Sequence, residues 1–210
     1  MTLHSSIAPG ATAGVLIVRA PEEMAAIRSA GIGGVIWQRR PLAGFQSWID
    51  GLAPDHLPRT RTILRPDAVR DAVEAACDIA GTPDGPQKDL LADDIAALAD
   101  IFHALIGARW LRLRLEPVTT DACRRFHIDR VQARLVCTYR GTGTQYGLGD
   151  ASEPEVIRTV PTGSPLILRG TLWPASPDPG LLHRSPPIAG SGETRLMLAL
   201  DPVDDPEDEI

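Results

Sequence analysis

The feature that most constrains the fold of this 210-residue chain is a change of hydrophobic period after Gly107. The segment RWLRLRLEPV that follows alternates polar and apolar residues, the period of a β-strand with two different faces. More short runs of this kind, separated by Gly, Pro, Ser and Asp, are RVQARLVCTY, EVIRTV, SPLILRGTLW and ETRLMLALD. Regularly spaced short strands with turn residues between them predict an antiparallel sandwich or barrel over the C-terminal half.

The N-terminal part predicts strands mixed with helices. GVLIVRA and GVIWQRR are predicted strands, and prolines and glycines bound helices over PEEMAAIRSAG, PLAGFQSWIDGL, PDAVRDAVEAACDIAG and LLADDIAALADIFHALIG. We therefore expect an α+β protein in three parts. These are an α/β extension over residues 1–85, a helix plus a β-rich metal-binding domain over 86–203, and an acidic tail over 204–210 that we expect to be disordered.

The composition limits partners and setting. The formal charge is -6 and no basic stripe is visible, so we expect no binding to nucleic acid. No apolar run is long enough to span a bilayer, and the N-terminus lacks the pattern of a secretory signal. The cysteines Cys77, Cys123 and Cys137 are odd in number and not spaced like a disulfide framework, which favours a reduced, cytoplasmic setting. The oligomeric state stays open.

The chemistry is concentrated in CRRFHIDRVQARLVCTYRGTGTQY, which places His127 and Asp129 two residues apart at the head of a predicted strand. Side chains at i and i+2 of a strand share a face, so the two groups would converge as metal ligands or as an acid/base pair. A structural His–Asp hydrogen bond is the alternative. His183, 54 residues after Asp129, is the remaining histidine of the β-rich half, and it would complete the facial triad that holds non-haem iron(II).

This order of residues resembles a known superfamily. A His-x-Asp pair, a distal His on a late strand and a basic residue about a dozen positions later, here Arg195, is similar to the pattern of the iron(II)/2-oxoglutarate oxygenases. The oxygenase-like pattern covers the C-terminal half. More closely, CRRFHIDRVQARLVCTYRGTGTQY and HRSPP…GETRLMLALD resemble the bacterial domain-of-unknown-function family 1826 over most of the chain. That family brings no settled activity.

The oxygenase resemblance implies a double-stranded β-helix, or jelly roll, with the N-terminal α/β or helical portion packed on it. It implies iron(II) held by His127, Asp129 and His183, and 2-oxoglutarate as cosubstrate with its far carboxylate paired to Arg195. We also expect Tyr139 to supply a second hydrogen bond to that carboxylate. The activity would be a hydroxylation, and the small-molecule or peptide substrate is unknown. The gap between His183 and Arg195 is slightly long for this pattern.

Cys123 is not part of the oxygenase pattern and keeps other functions open. Zinc at the same three ligands with a bound water could perform hydrolysis. With the Cys123 thiolate completing a closed shell, the site would instead suit a metal-handling protein. A third alternative is a jelly-roll interaction module without activity. Arg134 is expected to pair with an acid on the exterior of the barrel.

Overall fold

The computed structural model describes residues 14–121, 123–149, 153–174, 179–205 and 207. The α-helices are α1 (Ala43–Gly51), α2 (Val69–Ala80) and α3 (Pro86–Ile106), and short 3₁₀ helices span Pro21–Arg28, Pro54–His56 and Pro66–Ala68. The strands of the described residues are β1 (Val15–Val18), β2 (Gly34–Trp37), β3 (Thr60–Leu64), β4 (Trp110–Val118), β5 (Ala133–Arg140), β6 (Gln145–Leu148), β7 (Arg158–Thr159), β8 (Leu166–Arg169), β9 (Leu181–Arg184) and β10 (Arg195–Val203). Residues 206 and 208–210 of the predicted tail lie outside the described residues, so its disorder stays a prediction.

The strands form two sheets. The larger has seven strands in the order β1-β2-β8-β5-β10-β4-β3, and the smaller has three in the order β7-β6-β9. All pairings are antiparallel except that of β1 with β2. The protein is therefore a mixed α+β protein built on a large, mainly antiparallel sheet, as the sequence predicted.

The two faces of the larger sheet have different partners. One face packs on the helices, where the α3 stripe that includes Leu91, Ile95, Leu98 and Phe102 is fully buried. On the other face, side chains of β1, β2, β5, β8 and β10 pack against Tyr146 of β6 and Leu181 of β9 in the second apolar cluster. The larger sheet thus lies between a helical layer and the smaller sheet, and the space between the sheets is separate from the helical core.

The C-terminal half of the chain alternates between the sheets. It runs from β4 in the larger sheet to His127, which pairs by a β-bridge with His183 of β9, and returns to the larger sheet as β5. Strands β6 and β7 lie in the smaller sheet, β8 in the larger, β9 in the smaller and β10 in the larger. Because the chain passes repeatedly from one sheet to the other, residues that are distant in sequence, such as His127 and His183, come together between the sheets.

The N-terminal strands belong to the larger sheet, because β2 pairs with β8 and β3 pairs with β4. They continue this sheet rather than pack on it, and the division of the chain at residue 85 stays a prediction. The hydrophobic pattern predicted β1 and β2 but not these pairings, and it missed β3, β6 and β9. The predicted helix that begins at Pro21 is a 3₁₀ helix that ends at Arg28.

Among the described residues, no helix is both long and apolar enough to cross a membrane.

The loop after β8 supports the turn that carries Asp129. The backbone N–H of Gly170 donates to the carbonyl of Gln132 at 2.9 Å, and that of Thr171 donates to the carbonyl of Asp129 at 2.9 Å. A side chain at Gly170 has no room, because its Cβ would lie 1.9 Å from the carbonyl oxygen of Val131 and 2.8 Å from that of Asp129. Only glycine allows this close approach of the two backbones.

We expect Gly170→Ala to lower the free energy of unfolding by about 1–3 kcal/mol, since the added methyl group must push two backbone segments apart. Chemical denaturation of the purified variant measures this. The control is Gly44→Ala in helix α1, where a Cβ meets no atom within 4 Å. That change should raise stability by roughly 0.5–1 kcal/mol, the helix preference of alanine over glycine. An unchanged denaturation midpoint for Gly170→Ala would contradict the close approach.

Candidate metal centre

His127, Asp129 and His183 come together at one point. Each offers one ligand atom, and these atoms lie within 4.8 Å of one another. The Nε2 atom of His183 is 3.0 Å from Asp129 Oδ2, and Nε2 of His127 is 3.4 Å from Asp129 Oδ1. Two imidazole nitrogens and a carboxylate at this spacing form a donor set that divalent transition metals accept.

The two histidines are aligned by their backbones. The N–H of His127 donates to the carbonyl of His183 at 3.1 Å, and the N–H of His183 donates back at 3.0 Å. The ring centroids are 4.5 Å apart. This corrects the predicted origin of the site, because β5 begins only at Ala133 and Asp129 lies in the turn before it. The cross-strand bridge and that turn, rather than one continuous strand, bring the three groups together.

The hydrogen bonds of the rings indicate which nitrogen faces the site. His127 Nδ1 is 2.8 Å from the carbonyl of Arg125, and since a carbonyl only accepts, we assign the proton to Nδ1. This leaves Nε2 directed at Asp129. Among the described residues, His183 Nδ1 is buried without a hydrogen-bond partner, and the one polar side chain that faces the buried Asp129 Oδ2 is His183, whose Nε2 lies 3.0 Å away. A buried polar atom normally has a partner, and a cation at Oδ2 would satisfy this one.

Arg134 connects the centre to the last strand. One of its terminal nitrogens is 2.6 Å from Asp129 Oδ1, while Nε and the other terminal nitrogen donate to the two oxygens of Asp201 at 2.6 and 2.8 Å. Asp201 is 2% exposed. The sequence had suggested that Arg134 pairs with an acid on the exterior, which is wrong, because its two partners, Asp129 and Asp201, lie between the sheets. Arg134 holds Oδ1 of Asp129, which leaves Oδ2 as the oxygen available to a metal.

The surroundings keep Asp129 ionised. Burial by itself would raise the pKa of Asp129, but the hydrogen bonds to His127 and His183 and the charge of Arg134 outweigh burial and lower this pKa well below its usual range. The pKa of His127 is raised, chiefly by its hydrogen bond to Asp129. The carboxylate is thus present as the anion that metal coordination requires.

Arg195 is fully buried at the start of β10. Its Nε donates to the carbonyl of Thr142 at 2.6 Å and one terminal nitrogen donates to Thr138 Oγ1 at 3.2 Å, while the other terminal nitrogen is buried without a partner among the described residues. Burial lowers the pKa of Arg195, an effect that the charge of Glu193 opposes. The guanidinium therefore has an unused donor and no direct carboxylate partner in the described part of the chain.

The parity of β10 agrees with an inward-facing Arg195. Ala199, which has the same parity, lies in the cluster between the sheets, whereas Leu196, Leu198 and Leu200 belong to the helical core.

Tyr139 is not brought to this site. Its side chain lies in the helical core, and its hydroxyl donates to Asp94 Oδ2 at 2.6 Å. Asp94 also forms a two-point ion pair with Arg39, with both distances at 2.6 Å. The ladder between β5 and β10 has a register shift at this point, so that Leu196 opposes Arg140 but Met197 opposes Thr138. Tyr139 is the extra residue of this bulge, and on β5 it is Thr138 that contacts Arg195.

Cys123 also stays outside the group of ligands. It is exposed, and its carbonyl accepts a hydrogen bond from the N–H of Ser185 at 2.9 Å. The converging His/Cys/Asp/Glu group found among the described residues consists of His127, Asp129 and His183 without it. The role of Arg134 and the contributions of Asp201, Thr138 and Thr142 were not predicted from the sequence. For Arg134, Thr138 and Asp201 the one visible signal is a polar side chain in a strand whose other face is apolar. Thr142 lies beyond β5 and acts through its backbone carbonyl, for which the sequence holds no signal.

The comparisons with known proteins place this chain in a family. The chain belongs to the DUF1826 family, described as proteins of unknown function, whose model matches residues 19–201. No curated protein matches it.

Solved structures with a similar backbone include the dioxygenase for auxin oxidation from rice, with a TM-score of 0.48, 17% identity, and coverage of 94% of this chain and 84% of that one. An oxidoreductase of the 2OG-Fe(II) oxygenase family from Burkholderia pseudomallei has a TM-score of 0.46 and 12% identity, covering 93% and 97%. The dioxygenase for auxin oxidation 1 from Arabidopsis thaliana, in a binary complex with 2-oxoglutarate, has a TM-score of 0.41 and 13% identity, covering 89% and 73%. Scores this low carry no conclusion about the reaction.

We expect Arg134→Gln to weaken divalent metal binding by about 10- to 100-fold, the usual effect of losing a group that orients a ligand. The variant should also lose stability, since Asp201 becomes a buried carboxylate whose remaining cation, Arg112, is 4.0 Å away. The double variant Arg134→Gln/Asp201→Asn should recover part of the stability but not the metal affinity. Titration with cobalt(II), followed by visible absorption, measures the affinity.

The matched control is Arg158→Gln, an exposed arginine on β7 that should leave cobalt binding unchanged. If Arg134→Gln binds cobalt as tightly as the unaltered protein, Arg134 does not position Asp129.

Proposed function

We propose that this protein is a non-haem iron(II) oxygenase that uses 2-oxoglutarate and hydroxylates a substrate. The observation that carries the proposal is the fully buried Arg195 with a free donor, on the same face of the larger sheet as the His127/Asp129/His183 centre. Hydrolysis at a metal does not require such a guanidinium, whereas the far carboxylate of a dicarboxylate cosubstrate is matched by one.

The ligand set fits the metal. Two histidines and one carboxylate are the donors that hold non-haem iron(II) and leave coordination positions open. When bound, iron(II) with 2-oxoglutarate and dioxygen supplies the oxidant for an unactivated C–H bond. The share of this chain is to hold the three donors in place. His127 does so through its Nδ1 contact with the Arg125 carbonyl, and Asp129 through Arg134.

Arg195 would bind the far carboxylate of the cosubstrate. A guanidinium offers a planar fork that matches a carboxylate in two-point geometry. Nε and one terminal nitrogen are already fixed by Thr142 and Thr138, so the side chain is pre-oriented and its remaining donor is free. Thr138 Oγ1 accepts from Arg195 and therefore keeps its own proton for a second hydrogen bond to the same carboxylate.

The spacing of these groups suits a short diacid. Arg134 and Thr138 lie on the same face of β5, because Val136 between them packs between the sheets while Leu135 and Cys137 pack on the helices. Four residues of strand separate their Cα atoms by roughly 13 Å. Arg195 contacts Thr138 at one end of this interval, and Arg134 holds Asp129 of the metal centre at the other end.

The backbone supports the same proposal. A chain that alternates between two facing sheets, with β4, β10, β5 and β8 adjacent in one and β7, β6 and β9 in the other, has the order of a double-stranded β-helix. In that arrangement the histidine bridge adds His127 to the edge strand β9 of the smaller sheet. The strands β1 and β2 extend one edge of the larger sheet, and β3 extends the other.

Anaerobic addition of iron(II) and then 2-oxoglutarate to metal-free protein should give a weak visible charge-transfer band that saturates with 2-oxoglutarate. Asp129→Ala should abolish the band, because it removes the only anionic ligand of the three. Arg195→Gln should raise the dissociation constant for 2-oxoglutarate by about 10- to 100-fold, the loss of one or two charge-assisted hydrogen bonds. Arg195→Lys should recover part of this affinity. The exposed-arginine variant Arg158→Gln serves as the control.

The absence of a band in protein that binds iron(II) would contradict the use of 2-oxoglutarate. A band of unaltered affinity in Arg195→Gln would remove Arg195 from the cosubstrate site.

Cys123→Ser distinguishes the oxygenase from a closed zinc site. Since Cys123 is exposed and outside the ligand group, its replacement should change the affinity for iron(II) or zinc by less than about twofold. Competition with a chromophoric chelator measures both affinities. Loss of zinc binding in Cys123→Ser, together with tight zinc binding by the unaltered protein, would favour a metal-handling protein.

A further inference from the structure

Among the described residues, the apolar cluster between the two sheets does not extend over β3 and β4. The apolar cluster between the sheets takes residues from β1, β2, β5, β8 and β10 but, among the described residues, none from β3 or β4. Leu111, Leu113 and Leu115 of β4 face the helical core. Arg112, Arg114 and Glu116 alternate with them and therefore lie on the opposite face, half-buried, on the same side of the sheet as the metal centre.

The register of this region places like charges together. Arg61 of β3 is directly opposite Arg114 of β4, so both side chains lie on the face of the larger sheet that is opposite the helices. Directly opposed like charges destabilise a sheet. Neither arginine has a hydrogen bond or an ion pair among the described residues, and Nε of Arg114 is buried without a partner. Glu116, the carboxylate on this face of β4, pairs with neither.

This pair adjoins the metal centre. Arg112, two residues before Arg114, is opposite Asp201 in the ladder, and Asp201 holds Arg134 against Asp129. Two residues of strand, about 7 Å, and one spacing between neighbouring strands, about 5 Å, separate Arg114 from Asp201, which holds Arg134. A molecule bound at the pair can therefore present another part of itself to the metal.

We propose that Arg61 and Arg114 bind an oxyanion group, a carboxylate or a phosphate, of the molecule that is hydroxylated. Two guanidiniums supply planar forks of donors that match either group, and the bound anion removes the repulsion between them. The ligand is a small one, because the pair is local in a chain whose formal charge is -6. The identity of this ligand as the substrate rests on the proposed function, whereas the anion site itself does not.

The site is tested on the metal-free, full-length protein by titration with inorganic phosphate and, separately, with acetate, following the arginine Nε–Hε signals by NMR. We expect the Nε–Hε signal of Arg114 to shift with saturation for at least one anion. Tighter binding of phosphate would indicate a phosphate ester as substrate, and tighter binding of acetate a carboxylate. Arg61→Gln should weaken binding about tenfold, the loss of one charge-assisted hydrogen bond. Arg114→Glu should abolish it.

Two features of the variants keep the outcome clear. Arg114→Glu should fold at least as stably as the unaltered protein, because it turns a repulsive cross-strand pair into an attractive one. Arg109→Gln removes an exposed charge immediately before β4 and should bind the anion normally.

Binding that survives in Arg114→Glu, or no saturable response to either anion, would overturn the proposal. Because no iron or 2-oxoglutarate is present, these results are independent of the charge-transfer experiment. Failure here with a charge-transfer band present removes only the substrate class. Failure of the band leaves the anion site standing.

Discussion

The rest of the site depends on the ion pairs that join Asp201, Arg134 and Asp129. Within the described ranges, the segment that carries Asp129 forms no β-pairing beyond the bridge between the histidines, so its carboxylate needs another support. Arg134 provides it from β5, and Asp201 fixes Arg134 from β10, two central strands of the larger sheet. A buried charge without its partner is costly, which makes this chain of charges rigid. The orientation of Asp129 is in this way set by the strongest part of the fold.

The sequence predicted what is local and periodic. The alternation in β4, β5 and β10 identified the strands and placed Arg195 on the face of Ala199, and the helical stripe identified α3. The order of His127, Asp129 and His183 selected three groups that the structure brings together. These signals survive because strand parity and helix periodicity are properties of a few neighbouring residues, independent of which strands later pair.

What the sequence did not predict depends on pairing between distant segments. The strand β3 pairs with β4 although about fifty residues separate them in the chain, and no local sequence pattern predicts which strand will be its partner. The alternation of side chains between the two faces of a strand is also interrupted at a bulge. Because Leu196 and Met197 oppose Arg140 and Thr138, one residue of β5 is left over, and Tyr139 packs on the helices instead of facing the site. The role of Arg134 was missed for the same reason, since its partners come from a turn and from the last strand.

The charges between the sheets show what the fold requires of its ligands. Asp129 and Asp201 contribute two negative charges, which are offset by Arg134 and, at 4.0 Å from Asp201, by Arg112. Arg195 adds a positive charge at the other end of the space, with no carboxylate partner among the described residues. A divalent cation alone would add two further positive charges to this interior, which burial makes unfavourable. A dicarboxylate bound between the metal and Arg195 would compensate those two charges. On this argument the metal and the cosubstrate should bind as a unit, each raising the affinity of the other, while the Arg61–Arg114 pair outside recruits a second anion independently.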